Sequence, residues 1–305
     1  MIHARITAGG KGGIVMAGLS GVFPALPTPL DANDRVRFDA LGQLIEFTLK
    51  NGVSGFYVTG STGESFLLSD EERREILKFT AQTVGKRATL IAHVGCMSAK
   101  NACALGEYAA SLGYDYVSSV APIYFPYSFA EIKKYYEDVA DAAGIPMLIY
   151  NFPALSGVQF SVDHIAQFLS DARFAGMKHT SSDYFVLRQI KTAFPEKALL
   201  NGYDETFLAG LSMGADGAVG TTFNFMPRKF VQIYELFRQN RVGEAMELQK
   251  QADVIIAALV KAGVIPGAKA ILTEMGIPMG NARAPFAPLD AEKKKALLET
   301  VMPLL

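Results

Sequence analysis

Val22-Phe23-Pro24-Ala25-Leu26-Pro27-Thr28-Pro29 starts as a short apolar strand and ends in a loop punctuated by prolines. Proline lacks a backbone donor and pushes the residue before it into extended backbone. This strand therefore cannot lead into the glycine-rich phosphate turn and helix that a doubly wound open sheet places after its first strand. A closed barrel is the other common way to cover a parallel sheet with helices.

Outward from this stretch the same alternation repeats. Further apolar runs lie at 55–59, 89–94, 116–120, 147–150, 174–178, 198–201 and 217–220. Segments with helical periodicity separate them, at 38–50, 70–84, 99–112, 129–143, 162–169, 184–194 and 205–213. Ser69-Asp70-Glu71-Glu72 and Ser128-Phe129-Ala130-Glu131 both match a capping box, which satisfies orphan amides at a helix start. Strands that are apolar throughout, each followed by a helix, belong to a parallel sheet buried on both faces. Eight such units predict an α/β fold, a (β/α)8 TIM barrel with a C-terminal helical extension. The expected divisions are a flexible N-terminal extension at 1–16, a barrel core at 17–225, and the last barrel helix with C-terminal helices at 226–305. The later helical stretches are 227–238, 243–261, 268–275 and 291–298.

A chain of 305 residues with 50% hydrophobic and 19% charged residues has ample material for one large core. Its net charge of -1 and the lack of a basic block argue against nucleic-acid binding. No apolar run reaches the roughly 18 residues of a membrane span; the best candidate, 252–264, contains Asp253 and Lys261. Residues 1–13 lack the sustained apolar core of a secretory signal, and Gly9-Gly10-Lys11-Gly12-Gly13 reads as a flexible stretch. Cys96 and Cys103 form neither a disulfide framework nor a CxxC pair, which fits a cytoplasmic protein. His3, His93, His164 and His179 have no metal-ligand spacing, and His93, inside a strand, reads as a packed histidine.

Chemistry in such a barrel sits at the C-terminal ends of the strands. Those ends read Gly60-Ser61-Thr62-Gly63-Glu64-Ser65, Pro122-Ile123-Tyr124, Tyr150-Asn151-Phe152-Pro153, Lys178-His179-Thr180, Asn201-Gly202-Tyr203-Asp204-Glu205 and Gly220-Thr221-Thr222. Hydroxyls, carboxylates and an amine thus crown strands that are otherwise apolar. Lys178 closes Phe174-Ala175-Gly176-Met177, so its stem is expected to leave the barrel interior. Desolvation there favours a neutral amine able to attack a ketone. Taken singly, Lys178 also reads as a surface lysine, Tyr150 as a core tyrosine, and Asp204-Glu205 as helix-start acids. The glycine-flanked Ser61-Thr62 pair suits a carboxylate.

Pro27-Thr28-Pro29, Gly60-Ser61-Thr62-Gly63-Glu64, Tyr150-Asn151-Phe152-Pro153 and Gly176-Met177-Lys178, in this order, resemble the N-acetylneuraminate lyase and dihydrodipicolinate synthase superfamily. The resemblance runs from about Gly18 to the C-terminus. It implies a homotetramer and a Schiff base between Lys178 and a small-molecule 2-keto acid, with no other cofactor and no metal. Within the superfamily the chain is most similar to the lyase branch. Leu155 stands where the synthases carry an arginine for a second carboxylate, and Ser61 precedes Thr62 where synthases more often have two threonines. The activity implied is reversible cleavage of N-acetylneuraminate to pyruvate and N-acetylmannosamine. Alternatives are an aldolase or dehydratase for another 2-keto-3-deoxy sugar acid, a synthase-like enzyme, or a non-catalytic keto-acid binding protein. By resemblance, Lys178, Tyr150 and Thr62 are catalytic, Tyr124 matches a tyrosine that approaches a neighbouring subunit's site, and Ser61 and Thr62 hold the carboxylate. Thr180, Gly202, Asp204, Glu205 and Thr221 would contact the sugar portion. Thr221 replaces a serine of the lyases, and His179 replaces a frequent glutamine; both are expected to tune substrate choice.

Overall fold

The computed structural model describes residues 19–305. The extension expected at 1–16, with His3, lies outside the described residues. Eight parallel strands form one sheet: β1 Gly21–Pro24, β2 Gly55–Val58, β3 Thr89–His93, β4 Tyr116–Val120, β5 Met147–Asn151, β6 Phe174–His179, β7 Ala198–Asn201 and β8 Gly217–Gly220. Neighbours follow the chain from β2 to β8, and β8 pairs back with β1. The remaining seam closes through a parallel bridge between Ala25 and Tyr57 and a bond of 3.0 Å from the Leu26 amide to the Tyr57 carbonyl. The regular strand β1 ends at Pro24, but the Ala25 and Leu26 amides still bond to the Gly220 and Tyr57 carbonyls, so sheet pairing reaches the end of the expected 22–26 and stops before Pro27.

The helices that follow are α1 Phe38–Lys50, α2 Asp70–Val84, α3 Ala99–Ser111, α4 Phe129–Ala143, α5 Pro153–Ser156, α6 Val162–Leu169, α7 Tyr184–Ala193 and α8 Phe207–Ser212. Then come α9 Pro227–Arg238, α10 Val242–Ala262, α11 Val264–Glu274 and α12 Ala291–Val301. Both expected capping boxes form, at Ser69 with Glu72 and at Ser128 with Glu131. Three boundaries differ from the sequence expectation. The short α5 was not foreseen. The helix expected at 205–213 divides into a 3-10 turn over Asp204–Thr206 and α8. α11 begins four residues before the expected 268, because Pro266 falls in its first turn, where a missing amide costs nothing.

Two apolar cores result from the alternation of strand side chains. Inside the barrel, Phe23, Tyr57, Ile91, Leu148, Leu200 and Val219 pack together. Between strands and helices, Val22, Phe56, Val58, Met147, Ile149 and Met177 join the helix residues in a larger cluster. The inner core is the floor on which the strand-end residues stand. No single helix among the described residues is long and apolar enough to cross a membrane. The bent pair α10–α11 comes nearest, and it buries Ile255, Ile256, Ile271 and Leu272 inside the protein.

Candidate active site

Strand register brings the lysine and the tyrosine together. Tyr150 of β5 pairs with Lys178 of β6, so both side chains project to the same inner face. Lys178 is only 5% exposed. Its Nζ lies 4.1 Å from the ring centre of Tyr150 and 4.5 Å from that of Tyr57. Tyr57 was not singled out in the sequence, where it reads as one more aromatic in an apolar strand. Its ring underlies the amine, and its hydroxyl donates to Ser118 Oγ at 2.9 Å. The glycine at 60 is needed for this packing, since a Cβ there would lie 2.6 Å from the Tyr57 ring.

The turn after β2 folds on itself. The Gly63 amide donates to the Gly60 carbonyl and the Glu64 amide to the Ser61 carbonyl, both at 3.0 Å. Glu64 takes a left-handed backbone at φ 60, a conformation uncommon outside glycine. Two anchors hold it there: Glu64 Oε1 lies 2.5 Å from Lys269 Nζ of α11, and Oε2 accepts the Arg283 amide at 2.6 Å. The Thr28 hydroxyl fixes the same turn by donating to the Gly63 carbonyl at 2.7 Å. The turn presents Ser61 and Thr62 to the cavity, and the Thr62 and Thr221 hydroxyls lie 2.6 Å apart.

After β7 stand Asp204 and Glu205. Asp204 Oδ2 accepts both the amide and the hydroxyl of Thr222, each at 2.7 Å. Burial pushes the Asp204 carboxyl up to about 6, against the opposing pull of those two donors. Gly220 leaves room for this carboxylate, because a Cβ there would lie 2.3 Å from Asp204 Oδ1. Thr180 Oγ1 is buried with no partner among the described residues, and Gly202 makes space for it.

These groups line one cavity of about 380 Å³. It gathers Ser61, Thr62, Tyr150, Lys178, Thr180, Gly202, Asp204, Glu205 and Thr221, all expected at the site from sequence. Its opposite wall is apolar, from Ile256, Leu259 and Val260 of α10, Val264 and Ile265 of α11, and Phe286. Sequence reasoning missed this wall because it comes from helices far along the chain. It also missed Thr222, although a second hydroxyl beside Thr221 was a visible signal. Leu155 of α5, 65% exposed, lines this cavity and an adjoining apolar groove.

Two expected residues fall elsewhere. Tyr124 is 83% exposed, packs edge-on against Phe125 and lines a separate groove. His179 faces away from the cavity, one position past Lys178 on the alternating strand. Its Nδ1 meets Asn151 Nδ2 at 3.1 Å and its Nε2 meets the Asp183 carbonyl at 3.2 Å. Burial holds it below its ordinary value, so it supports the β5–β6 strand ends as a neutral ring and is not among the residues lining the cavity. His93 is likewise a packed residue: Nδ1 lies 2.9 Å from the Thr59 carbonyl, Nε2 accepts the Val120 amide, and burial brings it down to about 3. Among the described residues no cluster of His, Cys, Asp or Glu is arranged to hold a metal ion.

With this geometry in place, residues 18–303 match the profile of the dihydrodipicolinate synthetase family. The chain belongs to that family. This family member is 41% identical to the N-acetylneuraminate lyase of Rhizobium meliloti (strain 1021) over 94% of its own length and 96% of the relative's. CdNal from Clostridium difficile, solved in complex with mannosamine, superposes with a TM-score of 0.92 at 32% identity, covering 95% of this chain and 100% of that one. The N-acetylneuraminate lyase from Fusobacterium nucleatum, complexed with pyruvate, gives a TM-score of 0.89 at 32% identity, covering 94% and 97%. The family expected from the four sequence motifs and the barrel expected from the strand–helix alternation are both found.

Proposed function

We propose that the chain is a Schiff-base aldolase that reversibly cleaves N-acetylneuraminate to pyruvate and N-acetylmannosamine through Lys178. The observation that carries this reading is the charge pattern of the cavity. Lys178 is the one basic residue among its described lining residues, which also include Asp204, Glu205 and an aliphatic wall. A distal carboxylate or phosphate would meet two acids and no base, whereas the hydroxyls of a neutral polyol donate to both acids. Leu155 supplies no cation for a second carboxylate, which disfavours synthase activity. The lyase relative at 41% identity and the pyruvate and mannosamine complexes of the solved relatives support the same substrate halves.

In the proposed cycle, Ser61 and Thr62 hold the keto-acid carboxylate of the open-chain substrate. The Lys178 amine adds to the C2 ketone and water leaves, giving an iminium. The C4 hydroxyl loses its proton, with Tyr150 shuttling it beside the substrate carboxylate. The C3–C4 bond then breaks, its electron pair moving into the iminium to form an enamine, and the aldehyde departs. Protonation at C3 and hydrolysis release pyruvate and restore the amine. The iminium is the electron sink, so the cycle calls for no external cofactor. Thr180, Gly202, Asp204 and Glu205 hold the hydroxylated tail. The proposed assembly is a cytoplasmic homotetramer in which Tyr124 approaches a neighbouring subunit's site.

Borohydride trapping with pyruvate, peptide mapping and an N-acetylneuraminate cleavage assay test the proposal together. The expected result is a reduced adduct on Lys178, pyruvate release, and a loss of turnover on the order of a thousandfold or more in Lys178→Ala. An adduct on another residue, or full turnover in Lys178→Ala, overturns it. An adduct without cleavage moves the substrate to another sugar acid.

A further inference from the structure

The contact between Thr62 and Thr221 joins the turn after β2 to the end of β8 over the end of β1, spanning 159 positions of sequence. Thr221 is held rigidly for it. The Thr221 carbonyl accepts Asn224 Nδ2 at 2.8 Å, and the same side-chain amide donates to the Ala25 carbonyl at 2.7 Å. Asn224 is fully buried, so the end of β8 is pinned to the loop after β1. The next residue, Thr222, turns the other way and donates to Asp204. The two adjacent threonines therefore bond to different strand ends, Thr221 to the turn after β2 and Thr222 to Asp204 after β7.

A hydroxyl carries one proton, and an ionised carboxylate only accepts. If Thr62 donates to Thr221, its proton is not available to a keto-acid carboxylate. If Thr221 donates to Thr62, the Thr62 proton is freed for the carboxylate, and accepting one bond strengthens the one it donates. Either atom can be the donor in the free enzyme, so substrate binding selects the second arrangement.

We propose that Thr221 is a positioning residue for the keto-acid carboxylate, acting through the Thr62 hydroxyl rather than by contact with the sugar. This rests on the Schiff-base reading above and adds to it the group that sets the direction of the Thr62 hydrogen bond. Loss of the Thr221 hydroxyl weakens the keto-acid end of the site and leaves the aldehyde end unchanged.

The test uses pyruvate alone, so that no sugar contact contributes. Borohydride trapping is measured against pyruvate concentration for the wild-type chain, Thr221→Val and Thr221→Ser. The synthetic reaction then gives KM for N-acetylmannosamine in each. Thr221→Val is expected to raise the half-saturating pyruvate concentration about tenfold, the worth of one oriented hydrogen bond to a charged group, with an unchanged KM for the aldehyde. Thr221→Ser is expected to restore wild-type trapping. Unchanged pyruvate saturation with a raised KM for N-acetylmannosamine assigns Thr221 to the sugar and overturns the proposal. Should Thr221→Val fold poorly, Thr221→Ala replaces it, and Thr62→Val with and without Thr221→Ala completes the comparison. If removing Thr221's hydroxyl costs the same when Thr62's is already gone, the proposal also fails. A wild-type chain that pyruvate does not trap at all refutes the Schiff-base reading itself, an outcome distinct from the others.

Discussion

Asp204 is buried at the mouth of the barrel, and its carboxyl is pulled two ways. Burial penalises the ionised form, while the Thr222 amide and hydroxyl favour it, and burial wins, with a result of about 6. The folded value lies above the ordinary carboxylate value of 3.8. Its contribution to stability is therefore complete below about 4 and is lost as pH rises through about 6. Binding has the opposite sign, because substrate hydroxyls bond best to the ionised form. Affinity for the sugar end is expected to fall as pH drops through about 6, giving an acidic limb in kcat/KM. Asp204→Asn keeps an oxygen for the two Thr222 donors and should flatten that limb while lowering kcat/KM about tenfold or more. A limb unchanged in Asp204→Asn would assign the ionisation to another group. At this scale the sequence was legible where function follows strand register. Tyr150 and Lys178 end adjacent strands and meet directly. It was not legible where one side chain supports another from a distant strand, as Tyr57 of β2 does for Lys178 of β6, or from the neighbouring strand end, as Thr222 after β8 does for Asp204 after β7.

Among the elements, α11 combines two tasks. Its first turn gives Val264 and Ile265 to the cavity wall, and its middle sends Lys269 to Glu64 in the turn that presents Ser61 and Thr62. Both side chains of that ion pair are 1% exposed, so neither charge has water to fall back on. Burial lowers the Lys269 value, and only the Glu64 partner opposes that shift strongly. Glu64→Gln leaves a buried ammonium without its counter-charge and is expected to destabilise the fold by about 3–5 kcal/mol. Urea unfolding measures it, and Glu64→Leu with Lys269→Met should recover most of the loss. A Glu64→Gln chain of unchanged stability would show that the pair contributes little. Arg283 adds a second clamp, with paired bonds of 2.8 Å to both Glu72 carboxylate oxygens, and so holds the segment bearing Phe286 near α2. The strands and the capped helices were readable from period and caps. The bounds of α11 were not, since Pro266 and Gly267 look like breakers unless their place in a first turn is known.

For the whole molecule, the most exposed of the large hydrophobic side chains among the described residues is Tyr124, at 83%. Tyr124, Phe125 and Tyr127 stack edge-on above the end of β4, with ring centres 5.0 and 6.0 Å apart. Tyr124 adopts φ 84, a strained backbone that costs on the order of 1–3 kcal/mol for a residue with a Cβ. In the proposed tetramer this loop meets a neighbouring subunit. Tyr124→Asp is expected to shift sedimentation to smaller species and to lower activity as protein is diluted, with Tyr124→Phe keeping the native mass. Unchanged mass and unchanged activity in Tyr124→Asp would remove the residue from both assembly and catalysis. Only the family resemblance pointed to Tyr124, because within one chain it lines a groove separate from that of Lys178.

The division into two cores has a consequence for how such a chain changes over generations. The outer core between strands and helices holds the fold, and none of the cavity's polar groups belongs to it. Leu155 sits on a helix of four residues, 65% exposed, ended by Gly157. Replacing it alters what the cavity accepts while leaving both cores intact. Substrate preference can therefore drift by single substitutions whose stability cost is small, and selection for a new sugar acid need not pass through poorly folded intermediates.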